Sequence, residues 1–182
     1  MIQPRLVSAV TSGRLERGSS DMRKETGVNP IFMQRAISLA TENVLSTGGG
    51  PFGAVIVQGD TIVAEGANMV TATNDPTAHA EVTAIRRACA ELKTFDLTGC
   101  VIYTSCEPCP MCLAAIYWSR LSGIFYGNTA ANAASVGFDD SFLYDEVARP
   151  MHERTIPIHP LLGDEAWSSF ALWRDSMNKT PY

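Results

Sequence analysis

Two short runs hold the side chains best equipped for chemistry, His79-Ala80-Glu81 and Pro108-Cys109-Pro110-Met111-Cys112. Cys109 and Cys112 stand three apart on the expected first turn of a helix. That spacing sends both sulfurs to one side, where the positive end of the helix dipole favours thiolates. With the imidazole of His79 they make a Cys2His donor set, the way a catalytic zinc is held when its fourth position is kept for water. Soft sulfur and imidazole donors select zinc over hard cations, which want oxygen. The Lewis acidity of such an ion lowers the pKa of its water from about 15.7 to about 7. A base must still move the proton, and Glu81 is a carboxylate placed to take it and hand it on. Residues two apart on a regular helix point nearly oppositely, so His79 and Glu81 share a site only if they stand at an irregular helix entrance.

Other chemistries use parts of the same set. Cys106, Cys109 and Cys112 spell C-x-x-C-x-x-C, which with His79 would close a structural Cys3His zinc site. The same run opens an iron–sulfur pattern, but position 116, where a fourth cysteine is needed, holds Ile116. A redox pair of Cys109 and Cys112 leaves His79 and Glu81 unexplained. Two linked motifs are more specific than a lone C-x-x-C, so the catalytic zinc reading leads. Cys89 and Cys100 read as core thiols, and His152 and His159 as surface or packing histidines.

The elements that must position these residues follow from apolar spacing and punctuation. Asn29 and Pro30 suit the cap and first turn of a helix over 30–45, on which Met33, Ile37, Ala40 and Val44 recur at helical spacing. Gly48, Gly49 and Gly50 end it. An apolar run over 54–57, a turn at Gly59-Asp60 and a second run over 61–64 read as a β-hairpin. Val82, Ile85, Cys89 and Leu92 mark a second helix introduced by Asp75-Pro76. A buried strand over 100–104, a helix from near Pro110 to before Gly123, and a short strand over 124–126 follow. Residues 155–158 are strand-like, but Pro157 lacks a donor and confines that segment to an edge or bulge. A last helix over 164–177 carries Trp167, Phe170 and Trp173. This order predicts an α/β fold, one mixed sheet with helices on both faces. The run Gly48 to Gly53 formally matches G-x-G-x-x-G, but it follows a helix and opens a strand, the reverse of the dinucleotide-binding context.

Composition sets the outer limits. The chain has 182 residues, 14 basic and 19 acidic, for a net charge of −5. With 46% hydrophobic and 18% charged residues it can bury a core of its own. An acidic chain gains little from polyanions, which disfavours nucleic acid as a partner. No run approaches the roughly 20 apolar residues that span a membrane. Five cysteines, an odd number with three crowded together, suit reduced thiols in the cytoplasm. Residues 1–28 read as an N-terminal tail outside the chemistry, with a transit peptide and a start at Met22 as alternatives; 29–182 reads as a single domain.

H-x-E followed by P-C-x-x-C is the signature of zinc nucleobase deaminases. Beyond it stand Gly50-Pro51-Phe52-Gly53-Ala54-Val55, the run from Asn74 to Glu81, the run from Tyr103 to Cys109, the run Gly137-Phe138-Asp139-Asp140-Ser141-Phe142, and an aromatic C-terminus. On these residues the chain resembles the cytidine deaminase-like superfamily, and from about Pro30 to Tyr182 it is most similar to bacterial guanine deaminases. The resemblance implies a three-layer α/β/α sandwich and hydrolysis of guanine to xanthine and ammonia in purine catabolism or salvage. It implies one Zn2+ per subunit, carrying water or hydroxide, on His79, Cys109 and Cys112, with Glu81 as proton shuttle. It places Phe52, Asn68, Ala80, Trp118, Asp140 and Tyr182 around the purine, Phe52 stacking on the base, Asn68 holding it and Asp140 lying near its exocyclic amine. It also implies a homodimer whose C-terminal segment crosses to the partner and lids its site with Tyr182.

Guanine offers N1–H and an amino group as donors and O6, N3 and N7 as acceptors, which an acceptor-only carboxylate and an amide can meet. The competing roles are core packing for Phe52 and Trp118, a turn cap for Asn68, and a helix cap for Asp140. Among functions, guanosine deamination is the nearest alternative, then cytosine or cytidine. Adenosine deamination in transfer RNA would call for a basic groove, and a non-catalytic zinc module would enlist Cys106.

Overall fold

The computed structural model describes residues 28–182. The expected N-terminal tail therefore lies outside the described residues, apart from Val28. Helix α1 spans Pro30–Leu45. The Asn29 side-chain oxygen accepts from the Ile31 amide at 3.0 Å, and Pro30 occupies the first turn, where no N–H is needed. The buried stripe is Phe32, Ala36 and Ala40, whereas Ile37 and Val44 are about half exposed. The helix is thus rolled away from the expected stripe, because its small alanines let it lie close to the sheet. It stops before the glycine run, with Thr47 taking the left-handed conformation at φ 57°.

Strands β1 (Gly53–Gln58) and β2 (Thr61–Ala67) form the expected hairpin, with Gly59 at φ 58° in its turn. Short helix α2 (Val70–Thr73) adds to the expected elements. Helix α3 (Ala80–Leu92) starts later than Asp75-Pro76 suggested. Asp75 instead accepts from the Thr77 amide at 2.8 Å and its hydroxyl at 2.6 Å, a local turn in which the side chain competes with helix formation. Strand β3 (Cys100–Cys106), helix α4 (Pro110–Trp118) and strand β4 (Gly123–Asn128) follow.

The four strands make one mixed sheet in the order β2-β1-β3-β4. β1 is antiparallel to both neighbours and β3 is parallel to β4. Alternate residues serve opposite faces, the period of a pleated strand. Val55, Val57 and Tyr103 pack with Phe32 of α1 on one face. Ala54, Ile56 and Ile102 pack with Ala80, Ala84 and Ala88 of α3 and Ile116 of α4 on the other. This is the three-layer α/β/α sandwich expected.

The helix–strand approach on the α3 face rests on Gly66. A Cβ there would lie 2.2 Å from the Ala80 carbonyl oxygen and 2.6 Å from the Ala84 amide nitrogen, both backbone of α3. Gly66→Ala should therefore destabilise by about 1–3 kcal/mol, at roughly 2–4 °C of Tm per kcal/mol. Gly163→Ala, with nothing within 4 Å of its Cβ, should leave Tm nearly unchanged. Equal thermal shifts in the two variants would refute this account.

Beyond β4 run α5 (Ala130–Ser135), α6 (Ser141–Ala148), a 3-10 turn over Met151–Glu153, and α7 (Gly163–Asp175). None of these helices buries a residue within the chain. The strand expected over 155–158 does not form, since Pro157 removes a ladder donor and no sheet edge takes up the segment. The last helix ends at Asp175 rather than 177. No helix among the described residues is long and apolar enough to cross a membrane.

Candidate active site

The C-terminal ends of β2, β3 and β4 and the N-terminal end of β1 meet at one side of the sheet, the side on which α/β folds place ligands. His79 is the N-cap of α3, in extended backbone at φ −66°, ψ 158°, and Glu81 lies in the first turn. This irregular entrance is what allows residues two apart to share one site. Cys109 is the N-cap of α4, also extended, and Cys112 follows inside the helix.

The Nδ1 of His79 lies 3.6 Å from the Cys109 Sγ and 3.5 Å from the Cys112 Sγ. All three ligand atoms lie within 4.8 Å of one another. Tetrahedral zinc, with Zn–S near 2.3 Å and Zn–N near 2.05 Å, sets N and S about 3.6 Å apart. The donor set thus fits that ion in both chemistry and spacing. Hydrogen bonds from Cys112 and His79 hold the Cys109 thiol down at about 4, so it is a thiolate at neutral pH. The same Cys109 contact, together with burial, pushes the Cys112 thiol up. The Cys109 thiolate also raises the His79 pKa.

Cys106 stands apart from this set. Its Sγ donates to the Thr129 carbonyl at 3.7 Å, and burial raises its pKa, so it is a protonated thiol. The His79, Cys109 and Cys112 set is the one such cluster among the described residues. A Cys3His centre is therefore not assembled.

Glu81 is 5% exposed. The Thr104 hydroxyl donates to its Oε1 at 3.1 Å, and the Cys112 thiol lies 3.5 Å from its Oε2. One carboxylate oxygen is therefore fixed by β3 and the other faces the metal donors. Burial raises its pKa, because the low-dielectric surroundings disfavour the charged carboxylate.

These groups open into a cavity of about 700 Å³ lined by Phe52, Asn68, His79, Glu81, Cys109 and Asp140 among others. Phe52 makes an edge-to-face contact with Phe138, centroids 4.9 Å apart. Asp140 stands at the N-cap of α6 but makes no capping hydrogen bond; Asp139 accepts from the Ser141 amide at 2.9 Å instead. The Asp140 carboxylate is left to the cavity, its pKa raised by burial and by Cys109. Asn68 does hold its turn, its Oδ1 accepting from the amides of Gly50 and Val70, each at 3.3 Å, and it lines the cavity too.

Three expected site residues are not brought to this cavity. Ala80 is fully buried in the core beneath it. Trp118 and Tyr182 sit together on the surface, rings 6.2 Å apart, with Phe95 6.4 Å from Tyr182. Conversely, Glu107 and Phe138 line the cavity and Thr104 holds Glu81, although sequence spacing singled out none of them. All three fall inside the runs from Tyr103 to Cys109 and from Gly137 to Phe142, so the signal was present without a role attached.

Residues 29–128 match the family described as the cytidine and deoxycytidylate deaminase zinc-binding region. The guanine deaminase of Bacillus subtilis is 55% identical over 151 residues, covering 83% of this chain and 97% of the relative. The X-ray structure of that enzyme superposes with a TM-score of 0.83 at 54% identity, over 85% of this chain and 99% of the other. A structure of guanine deaminase from Nitrosomonas europaea gives a TM-score of 0.60 at 25% identity, over 82% and 83% of the two chains.

Proposed function

Because the chain belongs to the guanine deaminases of the cytidine and deoxycytidylate deaminase family, we propose that it hydrolyses guanine to xanthine and ammonia in purine catabolism or salvage. The observation that carries this reading is the buried Glu81 carboxylate, one oxygen pinned and the other facing His79, Cys109 and Cys112 in a cavity that fits a purine. Those three residues hold one zinc ion, which when bound supplies the Lewis acidity that makes water nucleophilic near neutral pH.

The remaining steps belong to side chains. Phe52 offers an aromatic face against which the base lies, and Asn68 a carboxamide that fixes its in-plane rotation. Asp140 accepts from the exocyclic amine. Glu81 removes a proton from the attacking water and delivers it to a ring nitrogen, so that C2 becomes tetrahedral. It then passes the second water proton to the amine, which leaves as ammonia. Water and guanine are consumed and xanthine and ammonia released, with Glu81 restored. Ammonia release from guanine by zinc-loaded protein tests this, with guanosine in parallel because the cavity volume leaves room for a ribose. Activity on guanosine alone would move the assignment to the nucleoside, and silence on both would overturn it.

Residues 29–182 act as one deaminase unit in a homodimer. Supporting this, α7 exposes Trp167, Phe170, Leu172 and Trp173, and Tyr117, Trp118 and Tyr182 are exposed as well. Apolar area on this scale is characteristic of an interface. A C-terminal segment crossing to a second copy would cover α7 and bring Tyr182 to the partner's cavity. Deleting residues 178–182 should then raise KM for guanine by about 2–10-fold, the loss of one aromatic contact. Unchanged kinetics would make the segment a passive end. The five free thiols, two of them metal donors, suit the reducing cytoplasm.

A further inference from the structure

We propose that Asn43, on α1, is a positioning residue that presents the Asn68 carboxamide to the purine with its nitrogen forward. The inference rests on the purine-binding reading of the cavity and assigns a role to a side chain that does not itself line it. The Asn43 Nδ2 donates twice, to the Gly50 carbonyl at 2.9 Å and to the Asn68 carbonyl at 2.8 Å. Those carbonyls belong to two separate loops, one leading into β1 and one leaving β2. The other groups of both residues close the ring: Asn68 Oδ1 accepts from the Gly50 amide at 3.3 Å. The same oxygen accepts from the Val70 amide.

This ring shapes the cavity in two ways. First, with both bonds at Oδ1 supplied by backbone amides, the Asn68 Nδ2 is the end left for a ligand. Asn68 therefore acts as a donor, toward O6, N3 or N7 of the base, rather than as a group that both donates and accepts. Second, Phe52 is tied into the same ring, its amide donating to the Gly50 carbonyl at 2.8 Å and its carbonyl accepting from the Asn68 amide at 3.1 Å. The stacking ring and the purine-reading amide are thus registered to each other through one junction. Asn43 also ends α1, but it does so with its backbone carbonyl, which accepts from the Gly48 amide at 2.9 Å and would do so for any residue. The helix end leaves the carboxamide unexplained, and the two loops account for it.

The junction has no room to spare. A Cβ on Gly49 would lie 2.4 Å from the Asn68 carbonyl oxygen and 3.1 Å from the Asn43 Nδ2. Gly49→Ala therefore disturbs the same geometry without removing Asn43.

The test compares KM and kcat for guanine in zinc-loaded wild type, Asn43→Ala, Asn43→Asp, Gly49→Ala, Asn68→Ala and the Asn43→Ala/Asn68→Ala double variant. Asn43→Asp keeps the shape but replaces two N–H donors with an acceptor-only group facing two carbonyls. The expected result is a KM raised tenfold or more in the Asn43 and Gly49 variants, with kcat within threefold and zinc content unchanged. The double variant should raise KM by less than the product of the two single effects, since groups acting through one another are not additive. A structural role only would lower Tm and the active fraction without moving KM, and that outcome overturns the inference. So does a double variant whose KM effect is the product of the two single effects. If Asn43→Asp does not fold, Asn43→Ala decides by the same KM criterion, because Gly49 itself lines the cavity. Wild type inactive on guanine would instead overturn the purine reading, a failure visible before any variant is made.

Discussion

Glu81→Gln should fold, retain its zinc and lose turnover by about 10²–10⁴-fold, the usual contribution of a positioned general acid–base. Glutamine keeps the shape and still accepts from Thr104, so the Oε1 contact at 3.1 Å survives and the core around the 5% exposed side chain is not reopened. What it loses is the capacity to carry a proton between water, ring nitrogen and leaving amine. Removal of a buried negative charge also relieves a desolvation penalty, so Tm should not fall. KM should change little, because the carboxylate acts on the transition state more than on the bound base. Zinc content by elemental analysis, circular dichroism and ammonia release together check this. Turnover within threefold of wild type would remove Glu81 from the mechanism.

The cysteines give the second large effect, and it should split along the chain. Cys109→Ser and Cys112→Ser should each reduce zinc from about one ion per chain toward none, because a serine oxygen is a hard donor that holds no thiolate charge at neutral pH. Cys106→Ser should keep its zinc, since its Sγ is engaged with the Thr129 carbonyl and lies outside the cluster of donors. The substituted hydroxyl would still donate to that carbonyl. Equal zinc loss in Cys106→Ser and Cys109→Ser would mean that the metal fills a closed Cys3His site and would remove the open coordination position on which hydrolysis depends.

The sheet, its order of helices and the metal donors were legible in the sequence because each rests on short-range pattern. A short apolar run set β1, Asn29 and Pro30 set the start of α1, and three-residue spacing put Cys109 and Cys112 on one helical turn. The misreadings arose where a neighbour in space, or a competing partner close by in sequence, decided the outcome. Ile37 and Val44 fit a helical stripe, yet α1 turns its alanines inward, since a Cβ on Gly53 would lie only 2.3 Å from the Ala36 carbonyl. Asp75 has the chemistry of a helix cap, yet its own neighbour Thr77 captured it. Residues 155–158 have strand composition, but a strand exists only where another offers it hydrogen bonds.

The same division runs through the site. Sequence alone determined which atoms can bind zinc and which carboxylate can move a proton, because donor softness and ionisation belong to the residue type. Only the tertiary structure decided that Cys106 is excluded, that Thr104 holds Glu81, that Asp139 rather than Asp140 takes the capping bond, and that Asn43 ties two loops together. These are choices among partners of comparable chemistry. Hydrogen bonds of 2.8–3.7 Å make them, and, apart from the local Asp139–Ser141 turn, the chain brings such partners within reach only when the sheet and its helices close on one another.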